Sequence, residues 1–137
     1  WEHKNPWLVN RVELIQDSCG AGKFRGGLGI NLEFTMLEDA EITTACERSK
    51  LAPWGLNGGQ EGLANNCFII IEENIMSAPK TTRTPIRTGG KVLIQAGGGG
   101  GYGDPNDRDR DKVLDDYKQE YVSLDYVKKF YPSIKLE

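Results

Sequence analysis

Apolar and polar residues take turns along much of the first hundred positions, with a period close to two. Residues 30–37 (I-N-L-E-F-T-M-L) alternate cleanly and residues 11–16 (R-V-E-L-I-Q) more loosely. Both patterns predict strands with one buried face. Residues 40–46 (A-E-I-T-T-A-C) carry the Thr and Ile that suit a pleated surface. Residues 67–72 (C-F-I-I-I-E) are a continuous apolar run of strand length, which predicts a buried central strand. Residues 91–95 (K-V-L-I-Q) form the last strand, and residues 77–87, interrupted by Pro79 and Pro85, read as a loop or an irregular edge strand. Ahead of them, residues 1–10 read as an extended arm carrying Trp1 and Trp7.

The period changes after Pro105. A helix is expected from about residue 108 to 120, capped by Asp107, with Val113, Leu114 and Tyr117 on one face. Ser123 is a good cap for a second, shorter helix that Pro132 ends; its apolar side is Tyr126, Val127 and Phe130. The fold class that follows is α+β: a mainly antiparallel, sandwich-like β core with Gly-rich turns, then a C-terminal helical hairpin. The division is placed between residues 1–103 (β-rich, with the arm) and 104–137 (two helices). A hairpin this short needs a surface to dock on, either the strands or another chain.

Glycine punctuates the pattern. Of 17 glycines, five run consecutively from Gly97 to Gly101, and another cluster occupies 20–29 around Lys23 and Arg25. A run without Cβ atoms serves a positive φ, a close backbone approach, or a nest of N–H groups for an anion. The Lys and Ser/Thr of a nucleotide-binding P-loop are missing after residue 101, and the 20–29 cluster leads into a strand rather than a helix, so close-packed turns are the simpler reading. Asp17 and Arg25 are expected to form a buried pair that fixes the first cluster.

Net charge is −3 with an isoelectric point near 5.3, which argues against a nucleic-acid partner. No apolar run has the length of a membrane span. Cys19, Cys46 and Cys67 are too few and too far apart for a secreted disulfide framework, and a reduced, cytoplasmic setting is the default. With His3 they add up to a Cys3His zinc set, but no C-x-x-C pair supports it, and three unrelated buried thiols are the simpler reading. The one histidine sits in the arm, so no nucleophile–base constellation is visible.

Five stretches, taken together, resemble one family. They are Glu13-Leu-Ile-x-Asp17-Ser18 running into Gly20-Ala-Gly22 and Arg25-Gly-Gly-Leu-Gly29, then Pro53-Trp-Gly-Leu-x-Gly58-Gly59, Gly90-Lys91-Val92, Gly97 to Pro105, and Tyr121-Val-Ser123. In this order they resemble the C-terminal part of the hydantoinase B half of the hydantoinase/oxoprolinase family. The resemblance implies a cytoplasmic, multi-subunit enzyme. An A-type, ATPase-like subunit uses ATP with a divalent metal, and a B-type subunit completes the chemistry. Known activities are ATP-dependent hydrolysis of cyclic amides and ATP-dependent carboxylation of ketones. The size of this chain is similar to the small β subunit of acetophenone carboxylase-type complexes.

The expected role is therefore a structural and assembly subunit of such a ketone carboxylase, docked on larger A-type and B-type subunits. Trp1, Trp7, Trp54, Tyr102, Tyr126 and Phe130 are its candidate interface residues. The alternatives are a C-terminal piece of a B-type subunit that lends Arg25 or Arg48 to an amide-ring hydrolysis site, and a small zinc-binding adaptor. An arginine in such a site clamps a carboxylate or phosphate with two parallel hydrogen bonds.

Overall fold

The structure, a computed structural model, describes residues 4–135. Among these, the elements in chain order are β1 (Trp7–Ile15), β2 (Gly29–Met36), β3 (Ala40–Ala45), β4 (Asn66–Ile71), β5 (Asn74–Ser77), β6 (Lys80–Ile86), β7 (Lys91–Ala96), a 3-10 turn (Pro105–Asp107), α1 (Arg110–Lys118) and α2 (Leu124–Phe130). Five strands form one sheet in the order β1-β2-β7-β4-β5, and β3 pairs with β6 in a second. The β2/β7, β4/β7, β4/β5 and β3/β6 ladders are antiparallel. The α+β class expected from the pattern is observed. No helix among the described residues is long and apolar enough to cross a membrane.

The chain divides into two compact units that interleave along the sequence. One holds the segment up to Glu13 with Ile30–Lys50 and Asn65–Ala96; the other holds Leu14–Gly29, Leu51–Ala64 and the chain from Gly97 onward. The division differs from the single boundary expected at residue 103. The reason is that the glycine segments, which look like turns between strands, belong with the helices.

The first unit contains both sheets. Register sets its core. Phe34 stands opposite Val92 and Leu32 opposite Ile94, while Val92 and Ile94 stand opposite Ile69 and Cys67 on the other side. A period of two puts all six on one face. Phe34, Cys67, Ile69 and Val92 are buried there with Ile86 of the second sheet and Ala78, and Ile42 packs against them. Trp7 is the difference from the expected arm: it begins β1 and lays its ring on Phe34, centroids 4.7 Å apart. The segment 77–87 takes the second of its two expected forms, an irregular edge strand. It supplies the end of β5 and all of β6, and tolerates Pro85 because the two-stranded sheet is all edge. The β3/β6 register shifts between Ile42 and Thr44, and there Arg83 takes φ 52 and donates its N–H to the Thr43 hydroxyl.

The second unit has few regular elements at its centre. Three extended segments, near residues 18–27, 53–63 and 97–103, lie backbone against backbone. Gly20 N–H donates to the Gly99 carbonyl (2.8 Å), Gly101 N–H to Gln60 (2.8 Å), Gln60 N–H to Ala21 (2.7 Å), and Leu56 N–H to Gly101 (2.9 Å). The spacing leaves no room for side chains: a Cβ at Gly98 would land on the Ser18 carbonyl, and one at Gly100 on that of Trp54. The run Gly97–Gly101 contains no positive φ, so what glycine supplies there is the missing Cβ rather than an unusual backbone angle. The same logic admits only glycine at the axis of collagen.

The helices pack beside this lace. Cys19 and Ala21 form a core with Val113, Val122, Tyr126, Val127 and Tyr131. Ser123 caps α2 as expected, its Oγ accepting from the Tyr126 N–H. The first helix starts later than expected. Asp107 is absorbed in the 3-10 turn that Asp104 caps, and Asp109 is the residue whose carboxylate accepts from Asp111 and Lys112 at the start of α1.

The lace gives a paired prediction. Gly98→Ala is expected to lower stability by about 3 kcal/mol through overpacking. Gly27→Ala, where the added Cβ meets nothing within 4 Å, is expected to change it by less than about 0.5 kcal/mol. Urea unfolding of the two variants checks both.

Candidate functional site

The second unit presents its lace at the surface through aromatic side chains. Tyr102, which follows the glycine run, forms isolated β-bridges with Phe24 and Leu56, one from each of the other two segments. The Phe24 and Tyr102 rings lie 6.4 Å apart, and the Asn57 side-chain amide donates to the Tyr102 hydroxyl (2.7 Å). Phe24, Leu56 and Tyr102 are each about half exposed, and Trp54 in the same segment as Leu56 is 65% exposed. Four large apolar side chains on a backbone fixed by inter-segment hydrogen bonds make a pre-ordered contact surface. Tyr and Trp offer much apolar area for little rotamer entropy.

The same unit holds an ion-pair cluster. Asp116, 6% exposed, accepts from Arg25 Nε (2.9 Å) and from an Arg108 terminal nitrogen (2.7 Å). Arg25 also donates to the Gly26 carbonyl, and its guanidinium lies 5.6 Å from the centre of the Tyr121 ring. The hydrogen bond to Asp116 raises the Arg25 pKa, so its charge is locked in place. Arg108 reaches the Lys23 carbonyl with its other arm. Two cations on one carboxylate tie the segment 23–26 to α1. Asp17, expected to pair with Arg25, instead adopts φ 61 and accepts from the Ser123 N–H (2.6 Å) at the start of α2.

A cleft of about 510 Å³ lies on the same unit, lined by Asp17, Cys19, Gln60, Ser123, Tyr126 and Lys129 among others. Its floor is closed by Tyr126, whose hydroxyl donates to the Cys19 carbonyl (2.7 Å). Burial pushes both the Tyr126 hydroxyl and the Cys19 thiol to higher pKa, so both stay protonated at neutral pH.

The sequence candidates therefore separate. Trp54 and Tyr102 are on the exposed surface. Trp7 packs against the sheet core and Tyr126 lies in the helical core; Phe130 is half-buried, 4.7 Å from the Tyr126 ring. Trp1 and His3 lie outside the described residues. Arg25 is held by Asp116, and Arg48 is exposed at φ 53 in the other unit. Cys19 lies in one unit, Cys46 and Cys67 in the other, and among the described residues no group of three or more His, Cys, Asp or Glu is placed to hold a metal. Asp116 and Phe24 were not singled out by pattern. Asp116 hides in the charge-rich stretch 107–116, and its only signal is the three-residue spacing from buried Val113.

The family described as Hydantoinase B/oxoprolinase matches residues 1–105. An uncharacterized protein of Methanocaldococcus jannaschii is 36% identical over 90% of this chain and 22% of its own length. The caprolactamase subunit beta of Pseudomonas jessenii is 32% identical over 90% of this chain and 22% of its own. The crystal structure of that ATP-dependent caprolactamase superposes with a TM-score of 0.88 at 29% identity, covering 99% of this chain and 24% of that one. Acetone carboxylase, with a TM-score of 0.74 at 19% identity over 95% of this chain and 22% of its own, shares the fold. The chain spans about a fifth of the length of the curated relatives it matches.

The cluster at Asp116 is expected to be structural. Asp116→Asn, which leaves two guanidiniums without their charge partner, should cost about 3 kcal/mol. Its exposed neighbour serves as control: Asp115→Asn should stay within about 0.5 kcal/mol of the parent in the same urea titration.

Proposed function

The chain belongs to the hydantoinase B/oxoprolinase family, and we propose that it is a bracing part of a B-type subunit in an ATP-dependent assembly that hydrolyses a cyclic amide. The observation that carries this reading is the aromatic surface of Phe24, Trp54, Leu56 and Tyr102, fixed on a glycine lace. Such a surface suits a permanent contact, because its backbone loses little freedom on docking. The other surface in view, the cleft at Asp17, offers no activated nucleophile: its thiol and phenol are both held protonated.

The substrate class rests on the caprolactamase similarity, which is one of sequence as well as fold. Caprolactam is a cyclic amide. Carboxylation of a ketone, the role first expected, has the fold of acetone carboxylase behind it and nothing residue-specific. In this reading ATP and any divalent metal bind in other parts of the assembly, and the docking partner of the aromatic surface is the larger, A-type ATPase-like protein.

The test is made on the assembled enzyme. Trp54→Ala with Tyr102→Ala should weaken association with the A-type partner roughly tenfold or more, as truncating central aromatic anchors does. The isolated chain should keep its thermal midpoint. Unchanged association of the double variant would overturn the reading. An Arg48→Ala enzyme should assemble and keep its kcat; a loss of kcat in an intact assembly would move part of the chemistry onto this chain.

A further inference from the structure

We propose that Cys46 and Cys67 form a dithiol that closes to a disulfide when the protein meets a peroxide. The two cysteines come from different sheets of the same unit: Cys67 is in β4, and Cys46 follows β3 directly. They meet where the chain crosses from one sheet to the other. Ala78 N–H donates to the Cys67 carbonyl and Cys46 N–H to the Pro79 carbonyl, both at 2.7 Å. Consecutive residues thus pin the two backbones from one side. Cys46 packs against the core cluster that contains Cys67.

Both also line a cavity of about 330 Å³ with Trp7 and Phe34, which leaves their side chains room to move together. Both thiols are free in the structure. Their environments differ. Cys46 is partly exposed, whereas Cys67 is 1% exposed. Burial and the neighbouring Cys46 push the Cys67 thiol up to about 11, so at neutral pH it remains protonated and unreactive towards oxidant.

Cys46 is therefore the sulfur that meets the peroxide. Its thiolate attacks the O–O bond, giving a sulfenic acid and, after proton uptake, one water. The Cys67 sulfur then attacks the Cys46 sulfur. The S–O bond breaks, hydroxide leaves, and the proton of Cys67 converts it to a second water. Two thiols lose two electrons and two protons, and the peroxide takes up both. The closed bond would fasten the two sheets at the crossover and tie the ends of the segment 47–66, which carries Trp54 and Leu56.

The experiment uses the whole chain. It is treated with hydrogen peroxide while folded, then denatured and labelled with N-ethylmaleimide, and its intact mass and peptide map are read. Labelled thiols should fall from the three free ones to one, that of Cys19, with a Cys46–Cys67 linked peptide, and dithiothreitol should restore all three. Three labelled thiols after peroxide, a link involving Cys19, or loss of label without the 46–67 link would each overturn the proposal. In Cys67→Ser, dimedone should trap Cys46 as its sulfenic acid. If that variant is insoluble, the map of the unaltered chain decides alone.

Discussion

The structure depends on main chains touching main chains. In the helical unit three extended segments approach so closely that their N–H and C=O groups bond across positions where a side chain would stand. Ordinary cores gain stability by interdigitating apolar side chains at high density. This one gains it by removing them and satisfying backbone groups that would otherwise be buried unpaired. The cost is entropic, since an unfolded polyglycine segment samples more conformations than any other. The apolar cluster of Val113, Val122, Val127 and Tyr131 beside it, together with the two guanidiniums on Asp116, offsets that cost.

The two units divide the work of the chain. In the sheet unit, register places Phe34, Val92, Ile69 and their neighbours in one layer, and the second sheet covers it. In the helical unit, the lace sets Phe24, Leu56 and Tyr102 side by side although they are far apart in sequence. A contact surface built this way has little backbone freedom: Phe24 and Leu56 are each held by main-chain pairing to the segment that carries Tyr102.

Much of the sheet unit was legible because its signal is local. A period of two marks β2, and a continuous apolar run marks β4, within a residue of their observed ends. Ser123 could be read as a cap because capping involves only three residues. What the pattern did not reveal has a different cause. Trp7 and Tyr126 are aromatic whether they face solvent or a core, and which they do is settled by partners such as Phe34 and Cys19 that no local pattern identifies. Arg25 was seen to need a carboxylate, but Asp17 is the near one in sequence and Asp116 the near one in space. The glycine run announced a close approach; what it approached, residues 18–27 and 53–63, carries no periodic signal at all.

That lace has a consequence for how the chain is made. Its three strips are separated by β2 and β3 and then by β4 to β7, so none can close locally, and closure of such distant contacts is intrinsically slow. On the ribosome, residues 18–27 and 53–63 emerge well before the glycines at 97–101 that they need, and before the helices that cover Cys19 and Ala21. Until then Phe24, Trp54 and Leu56 stand on strips whose backbone has no partner, open to a chaperone or a neighbouring nascent chain.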